Sequence, residues 1–179
     1  SVLEHHSNLV PWQRLCAARG ARLRPIPIDA RGQLDLDGLA SLLGPRTRLV
    51  ALAHASNVLG SVLPIVEAAR LAHAASALLF VDGAQAVAHR AIDVGSLGCD
   101  FYAFSAHKLY GPSGAGVLYG RREHLDAMPP WHGGGHMIRS VGFDEITFQD
   151  PPARFEAGTP PIAAAVGLGA AVTWLESAG

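Results

Sequence analysis

Apolar residues along this chain recur with two periods. Leu9, Trp12, Leu15 and Cys16 follow three- and four-residue spacing, which predicts a helix over 9–19. Pro11 suits its first turn, Ser7 or Asn8 is placed to cap it, and Gly20 stands where a C′ residue belongs. Leu36, Leu39, Leu42 and Leu43 predict a short helix over 35–43, and Ile65, Ala68, Ala69 and Ala72 give a small-residue face to one over 64–76. Between and after these lie short apolar runs at 48–54, 77–82, 100–104 and 115–119. Runs of that length with little alternation predict strands covered on both faces. Residues 1–3 read as the end of another buried strand. Residues 22–28 alternate weakly, and Pro25 and Pro27 demote them to an edge.

Strands alternating with helices through short loops imply right-handed crossovers and a largely parallel sheet, doubly wound or close to it. A single α/β domain over 1–179 is expected. In such sheets ligands bind beyond the carboxyl ends of the strands, so the polar residues there are the ones to weigh.

Composition narrows the field. Hydrophobic residues make up 49% of the 179, enough for a packed core and too many for a disordered chain. The net charge of −1 removes any electrostatic argument for nucleic acid or an anionic membrane. No apolar run reaches the roughly 20 residues a membrane helix needs, and no secretory leader pattern opens the sequence. The two cysteines, Cys16 and Cys99, form neither a disulfide framework nor a metal spacing, and both read as small buried hydrophobes. A reducing cytoplasm is the expected location. The chain starts in mid-element without a methionine and stops after a helix, so it is expected to be part of a longer protein.

Four strand exits carry candidate chemistry: His5 with His6, Asn57, Asp82 with Gln85, and Ser105, His107 and Lys108. Each has an ordinary structural reading, such as Asp82 capping the next turn or Lys108 lying solvated on one. Together they match what pyridoxal 5'-phosphate requires. An amine held against the scaffold between a strand end and a tight turn can attack an aldehyde and form a Schiff base, which is the role for Lys108. A carboxylate, Asp82, holds the ring nitrogen protonated so that the ring accepts electrons. Gln85 is in reach of the phenolic oxygen, His5 supplies a flat group to stack on the ring, and Ser105 and His107 supply phosphate donors.

Six segments occur in one order: Glu4-His-His-Ser-Asn-Leu-Val-Pro-Trp12, His54-Ala-Ser-Asn-Val-Leu-Gly60, Val81-Asp-Gly-Ala-Gln85, Asp100-Phe-Tyr-Ala-Phe-Ser-Ala-His-Lys-Leu-Tyr-Gly-Pro112, Trp131-His-Gly-Gly-Gly-His-Met137 and Arg154-Phe-Glu-Ala-Gly-Thr-Pro160. In these the chain resembles the class V aminotransferase superfamily and, within it, cysteine desulfurases of the SufS/CsdA type. The resemblance runs over essentially the whole chain. The Asp-Gly-Ala-Gln segment alone marks only the superfamily.

The resemblance implies a fold-type I large domain of the aspartate aminotransferase kind, incomplete at both ends, and a site built on pyridoxal phosphate. Lys108 matches the cofactor lysine, Asp82 the pyridine-nitrogen partner and Gln85 the phenolic-oxygen ligand. His5 matches the stacked imidazole and proton carrier, and Asn57 a residue near the phenolic oxygen and substrate carboxylate. Ser105 and His107 match phosphate ligands. Thr159 matches a residue that reaches the cofactor of a partner subunit, implying a homodimer. Ala106 replaces the glycine common in this group. The implied reaction converts L-cysteine (or selenocysteine) to L-alanine and leaves a persulfide for a sulfur-acceptor protein, as in iron–sulfur cluster supply. The family's nucleophilic cysteine and its substrate-carboxylate arginine have no match in this chain, so the chain alone is expected to be inactive. Two other readings stand beside this one: a kynureninase-like or aminotransferase-like class V enzyme, and a truncated module that binds a partner without catalysis.

Overall fold

The structure is a computed structural model and describes residues 1–178. Four strands form the main sheet in the order β1 (Leu49–Ala53), β2 (Leu78–Asp82), β3 (Phe101–Ser105) and β4 (Gly116–Gly120). The first three run parallel, with Leu52 opposite Val81 and Val81 opposite Tyr102. The parallel links are made by α3 (Ile65–Ala74), and by a turn with α4 (Val94–Leu97).

One face of the sheet is closed. Val50 and Leu52 of β1, Leu79 and Val81 of β2 and Tyr102 of β3 project onto Ile65, Ala68, Ala69 and Ala72 of α3 in one core. Leu52, Leu79 and Val81 have no exposed surface, and each such side chain contributes roughly 2 kcal/mol of hydrophobic stabilisation. The alanines let the helix approach the strands closely. The opposite face is thinner. Its alternate residues include Ala51, Phe80 and Ala103, all half-buried. Over it lies α1 (Val10–Arg19), which has no buried residue and sets the Trp12 ring edge-on to Phe80 at 5.4 Å.

Local signals explain most helix ends. Gly20 closes α1 in the left-handed region at φ 62°, its N–H bonded to the Cys16 carbonyl. Asp35 caps α2 (Leu36–Leu42) by accepting the Gly38 N–H at 2.8 Å. The expected cap on α1 is not made. Leu9 is the cap residue, while Asn8 is buried and spends its amide on Glu4 Oε2 (2.6 Å) and on the Trp12 indole N–H (2.9 Å).

Three other expectations need correction. Residues 1–3 are not a strand; they form a turn joined to the chain by Val2 N–H to Ile26 C=O. Residues 22–28 make no ladder, only an isolated bridge between Ile28 and Leu34, because Pro25 and Pro27 have no N–H to contribute. Cys99 is fully buried as expected, but Cys16 is only partly so.

Strand β4 lies antiparallel to β3, with Tyr119 opposite Tyr102. The connection over 106–115 holds only one turn of 3-10 helix, too little for the crossover that a parallel partner needs. After β4 come α5 (Arg122–Ala127), an unforeseen antiparallel hairpin of β5 (Ile138–Val141) and β6 (Ile146–Phe148), and α6 (Ile162–Ala178). Among the described residues no helix is long and apolar enough to cross a membrane.

Candidate cofactor site at the strand ends

The carboxyl ends of β1, β2 and β3 open on one side of the sheet, and each leads into a tight turn. After β1, Ser56 Oγ accepts the N–H groups of Val58 (3.2 Å) and Leu59 (3.1 Å), which folds the loop so that Asn57 is exposed on it. After β2, Asp82 Oδ1 accepts the Ala84 N–H at 2.9 Å and the Gly83 carbonyl accepts Ala86 N–H. That turn brings Gln85 back beside Asp82. After β3, Ala106–Lys108 forms one turn of 3-10 helix, with the N–H groups of Leu109 and Gly111 both on the Ala106 carbonyl. Tyr110 then takes a left-handed backbone, φ 57°. Ala106 is buried in an ordinary helical turn, so its methyl group is accommodated without strain.

His5 arrives from elsewhere. It precedes the 3-10 turn His6–Asn8, and its Nδ1 accepts the Ser7 N–H (3.2 Å) and lies 2.8 Å from Ser7 Oγ. With Nδ1 accepting a fixed N–H, the neutral ring carries its proton on Nε2.

These elements enclose a small pocket. His5, Asn57, Asp82, Gln85 and Lys108 line it, with Ala53, Ala55 and Ala84 as its apolar part. Five of the eight residues expected from the sequence therefore meet in one place. The lining is a carboxylate, an amine, two amides and an imidazole set among methyl groups. Among the described residues, the side chains of Asn57, Gln85 and Lys108 make no protein hydrogen bond or salt bridge, and Asp82 has one oxygen without a donor. The chemistry of this donor set suits a flat heteroaromatic ring bearing an aldehyde, a phenolic oxygen and a ring nitrogen: the lining between the polar groups is alanine, and those groups are free to meet a ligand.

Three predicted residues are not in the pocket lining. Ser105 and His107 precede Lys108 by three residues and one, the first half-buried and the second exposed. Thr159 is exposed on a separate loop, joined to the glycine-rich segment by Gly158 N–H to Gly135 C=O at 2.9 Å.

Sequence reasoning missed the pair behind the pocket. His54 and Tyr102 are both buried, and His54 Nδ1 lies 3.0 Å from the Tyr102 hydroxyl. Burial holds the His54 imidazole below its usual pKa, helped by the charge of Arg90. Burial also pushes the Tyr102 phenol up, with Cys99 and Asp82 adding to the shift. Both groups are therefore neutral near pH 7. They are 48 residues apart, and no local pattern links them.

The family model described as Aminotransferase class-V matches residues 1–179. A cysteine desulfurase of Dickeya dadantii is 58% identical over all of this chain and 44% of its own length. The crystal structure of the cysteine desulfurase CsdA from Escherichia coli superposes with a TM-score of 0.96 at 48% identity, over 98% of this chain and 44% of that one. The apo structure of a cysteine desulfurase from Thermococcus onnurineus NA1 gives 0.92 at 42% identity, over 97% and 44%. The chain thus spans less than half the length of each of these three relatives.

Proposed function

The chain belongs to the class-V aminotransferase family, and we propose that it forms the cofactor-holding part of a pyridoxal 5'-phosphate-dependent cysteine desulfurase. The observation that carries this reading is the convergence of Lys108, Asp82, Gln85, Asn57 and His5 on one alanine-floored pocket at the ends of the parallel strands. The high identity to cysteine desulfurases over nearly the full chain supports the substrate class.

When bound, pyridoxal phosphate supplies an electron sink conjugated to the substrate α-carbon. The chain's residues hold and orient it. Lys108 would be the amine that holds the aldehyde carbon, and its free amine would be placed to carry a proton at the same spot. Asp82 keeps one oxygen for the ring nitrogen while the Ala84 N–H fixes the other, so the carboxylate is oriented before any ligand arrives. Gln85 and Asn57 offer amide N–H donors to the phenolic oxygen. His5 supplies a flat face to the ring and a proton on Nε2. Ser105 and His107, at the β3 exit, are the proposed phosphate donors, and Thr159 is proposed to reach the same group in a second copy across a homodimer.

In the overall reaction the substrate Cβ–S bond breaks, an S–S bond forms to an enzyme thiol, and Cβ gains a proton to give alanine. Neither thiol in this chain is suited to that step. Cys99 is fully buried and burial raises its pKa, and neither Cys99 nor Cys16 lines the pocket. The nucleophile is therefore proposed to come from outside these residues, with a sulfur-acceptor protein downstream, in a cytoplasmic setting that serves iron–sulfur cluster assembly.

The test uses the Lys108→Ala variant in the protein that carries this chain. The visible absorbance of lysine-bound pyridoxal phosphate is expected to vanish, and alanine release from cysteine to fall by at least about a thousandfold, ~4 kcal/mol in barrier. A variant that still releases alanine at the parent rate overturns the reading.

A further inference from the structure

The three strand exits that carry the site are tied together on the opposite face of the sheet. Side chains alternate across a strand. Asp82 shares the pocket face with its register partners Ala53 and Ala103, whereas Leu52, Val81 and Tyr102 point the other way, into the core. His54 follows Leu52 by two residues and continues the ladder, its N–H on the Asp82 carbonyl at 2.8 Å. From β3, the Tyr102 ring reaches behind β2 and its hydroxyl meets His54 Nδ1 at 3.0 Å, the rings edge to face at 5.9 Å.

The ring passes β2 at Gly83. A Cβ there would overlap the Tyr102 ring carbons and hydroxyl. Gly83 does not have a positive φ, so the space, and not an unusual backbone, is what demands glycine. Its N–H bonds to the Ala103 carbonyl at 2.8 Å, extending the β2–β3 ladder by one residue. One side-chain hydrogen bond thereby spans from β1 to β3 under the first turn of the β2 exit. His54 lies three residues before Asn57, Gly83 immediately after Asp82 and two before Gln85, and Tyr102 six before Lys108.

We propose that His54 and Tyr102 are positioning residues for the cofactor, a buried tie that holds the loops bearing Asn57, Asp82 with Gln85, and Lys108 in mutual register. The inference rests on the reading of the pocket as a pyridoxal phosphate site. The tie suits this task because it is buried, neutral and formed without any cofactor group. It shares no atom with the pocket, so it sets loop positions without competing for a ligand. Its loss leaves His54 Nδ1 buried without a partner, a situation that proteins relieve by shifting the surrounding backbone.

The experiment replaces Tyr102 by Phe, with Leu79→Val as a control that loosens the same core away from the exits. In Tyr102→Phe, amide exchange at Gly60, Gly83, Ala84 and Ala86, whose N–H groups are all hydrogen-bonded, is expected to accelerate together by about tenfold, with pyridoxal phosphate binding weakened by about the same factor. The pH midpoint of the bound cofactor's visible absorbance is also expected to move. Leu79→Val should lower the melting temperature without these changes, and His54→Gln, which keeps a polar group near the hydroxyl, should fall between. Equal exchange, affinity and midpoint in Tyr102→Phe and Leu79→Val at matched stability would overturn the proposal. Failure of the unsubstituted protein to take up pyridoxal phosphate overturns the cofactor reading, while the exchange measurement still decides whether the tie holds the loops.

Discussion

The two ends of the parallel strands treat carboxylates in opposite ways. At the carboxyl ends, Asp82 has one oxygen on the Ala84 N–H and the other, among the described residues, without a donor, beside Lys108, Asn57 and Gln85 whose side chains are likewise unengaged there. At the amino ends, Asp100 is saturated. One oxygen accepts the Leu79 N–H (2.7 Å) and His73 Nε2 (2.9 Å); the other accepts His124 Nε2 (3.1 Å) and faces Arg121 Nε at 3.4 Å. Asp100 is 3% exposed. Burial alone would raise its pKa, but the Leu79 N–H and the two imidazoles outweigh burial and hold the carboxyl below the usual range. One end has been closed to bind the fold together, and the other leaves its valences for a ligand.

That division predicts that the two aspartates separate activity from stability. The largest effect is expected for Asp82→Asn, which keeps an acceptor for the Ala84 N–H but loses the charge facing the ring. Alanine release should fall by roughly a thousandfold, ~4 kcal/mol in barrier, while the unfolding free energy changes by less than about 0.5 kcal/mol. Rates and urea melts on the same preparation check both halves. A comparable loss of stability would mean that Asp82 is a structural residue.

Asp100→Ala should do the reverse. It orphans the Leu79 N–H and removes the partner of His73 and His124, at a cost of about 3 kcal/mol in stability. Pyridoxal phosphate affinity per folded molecule should stay within about twofold. A urea midpoint unchanged from the parent would show that the cluster contributes nothing net.

The smallest expected effect lies in the acid limb of stability. His54 has a lowered native pKa, so the native state resists a proton that the unfolded chain takes up near pH 6.5. Its contribution is full above that pH and is lost as the pH falls through the native value. Asp100, also lowered, contributes above the unfolded carboxyl value near pH 3.9 and loses its share as the pH falls through its native pKa. Stability should therefore decline in two stages, each worth on the order of 1 kcal/mol. His54→Gln should remove the upper stage and Asp100→Asn the lower; a single stage unaffected by both substitutions would contradict the assignment.

Much of this was legible in the sequence, for physical reasons. The apolar runs at 48–54, 77–82 and 100–104 became β1, β2 and β3 because core burial is what both the pattern and the fold express. The exit residues were legible because the chain must turn there and polar groups collect where strands end. Residues 1–3 and 22–28 were misread because side-chain pattern reports extended backbone but not whether a neighbour exists to pair with it. The hairpin Ile138–Val141 with Ile146–Phe148 went unseen because Val141 and Ile146 are exposed, so no buried face imprints its period. Ser105, His107 and Thr159 lie outside the pocket lining, a placement that residue type and spacing along the chain do not encode. The His54–Tyr102 tie, formed across 48 residues, had no local signature at all.

Gly83 bears on how this chain is free to change. Its missing methyl group is filled by a phenol from another strand, so positions 83 and 102 divide a single volume between them. An alanine at 83 can be absorbed only where residue 102 has already become smaller, and a smaller residue at 102 leaves His54 without its hydroxyl partner. Each step alone passes through a worse molecule. The three positions can therefore drift only as a set, and the Asp-Gly step of the β2 exit is held in place by a side chain that never enters the pocket.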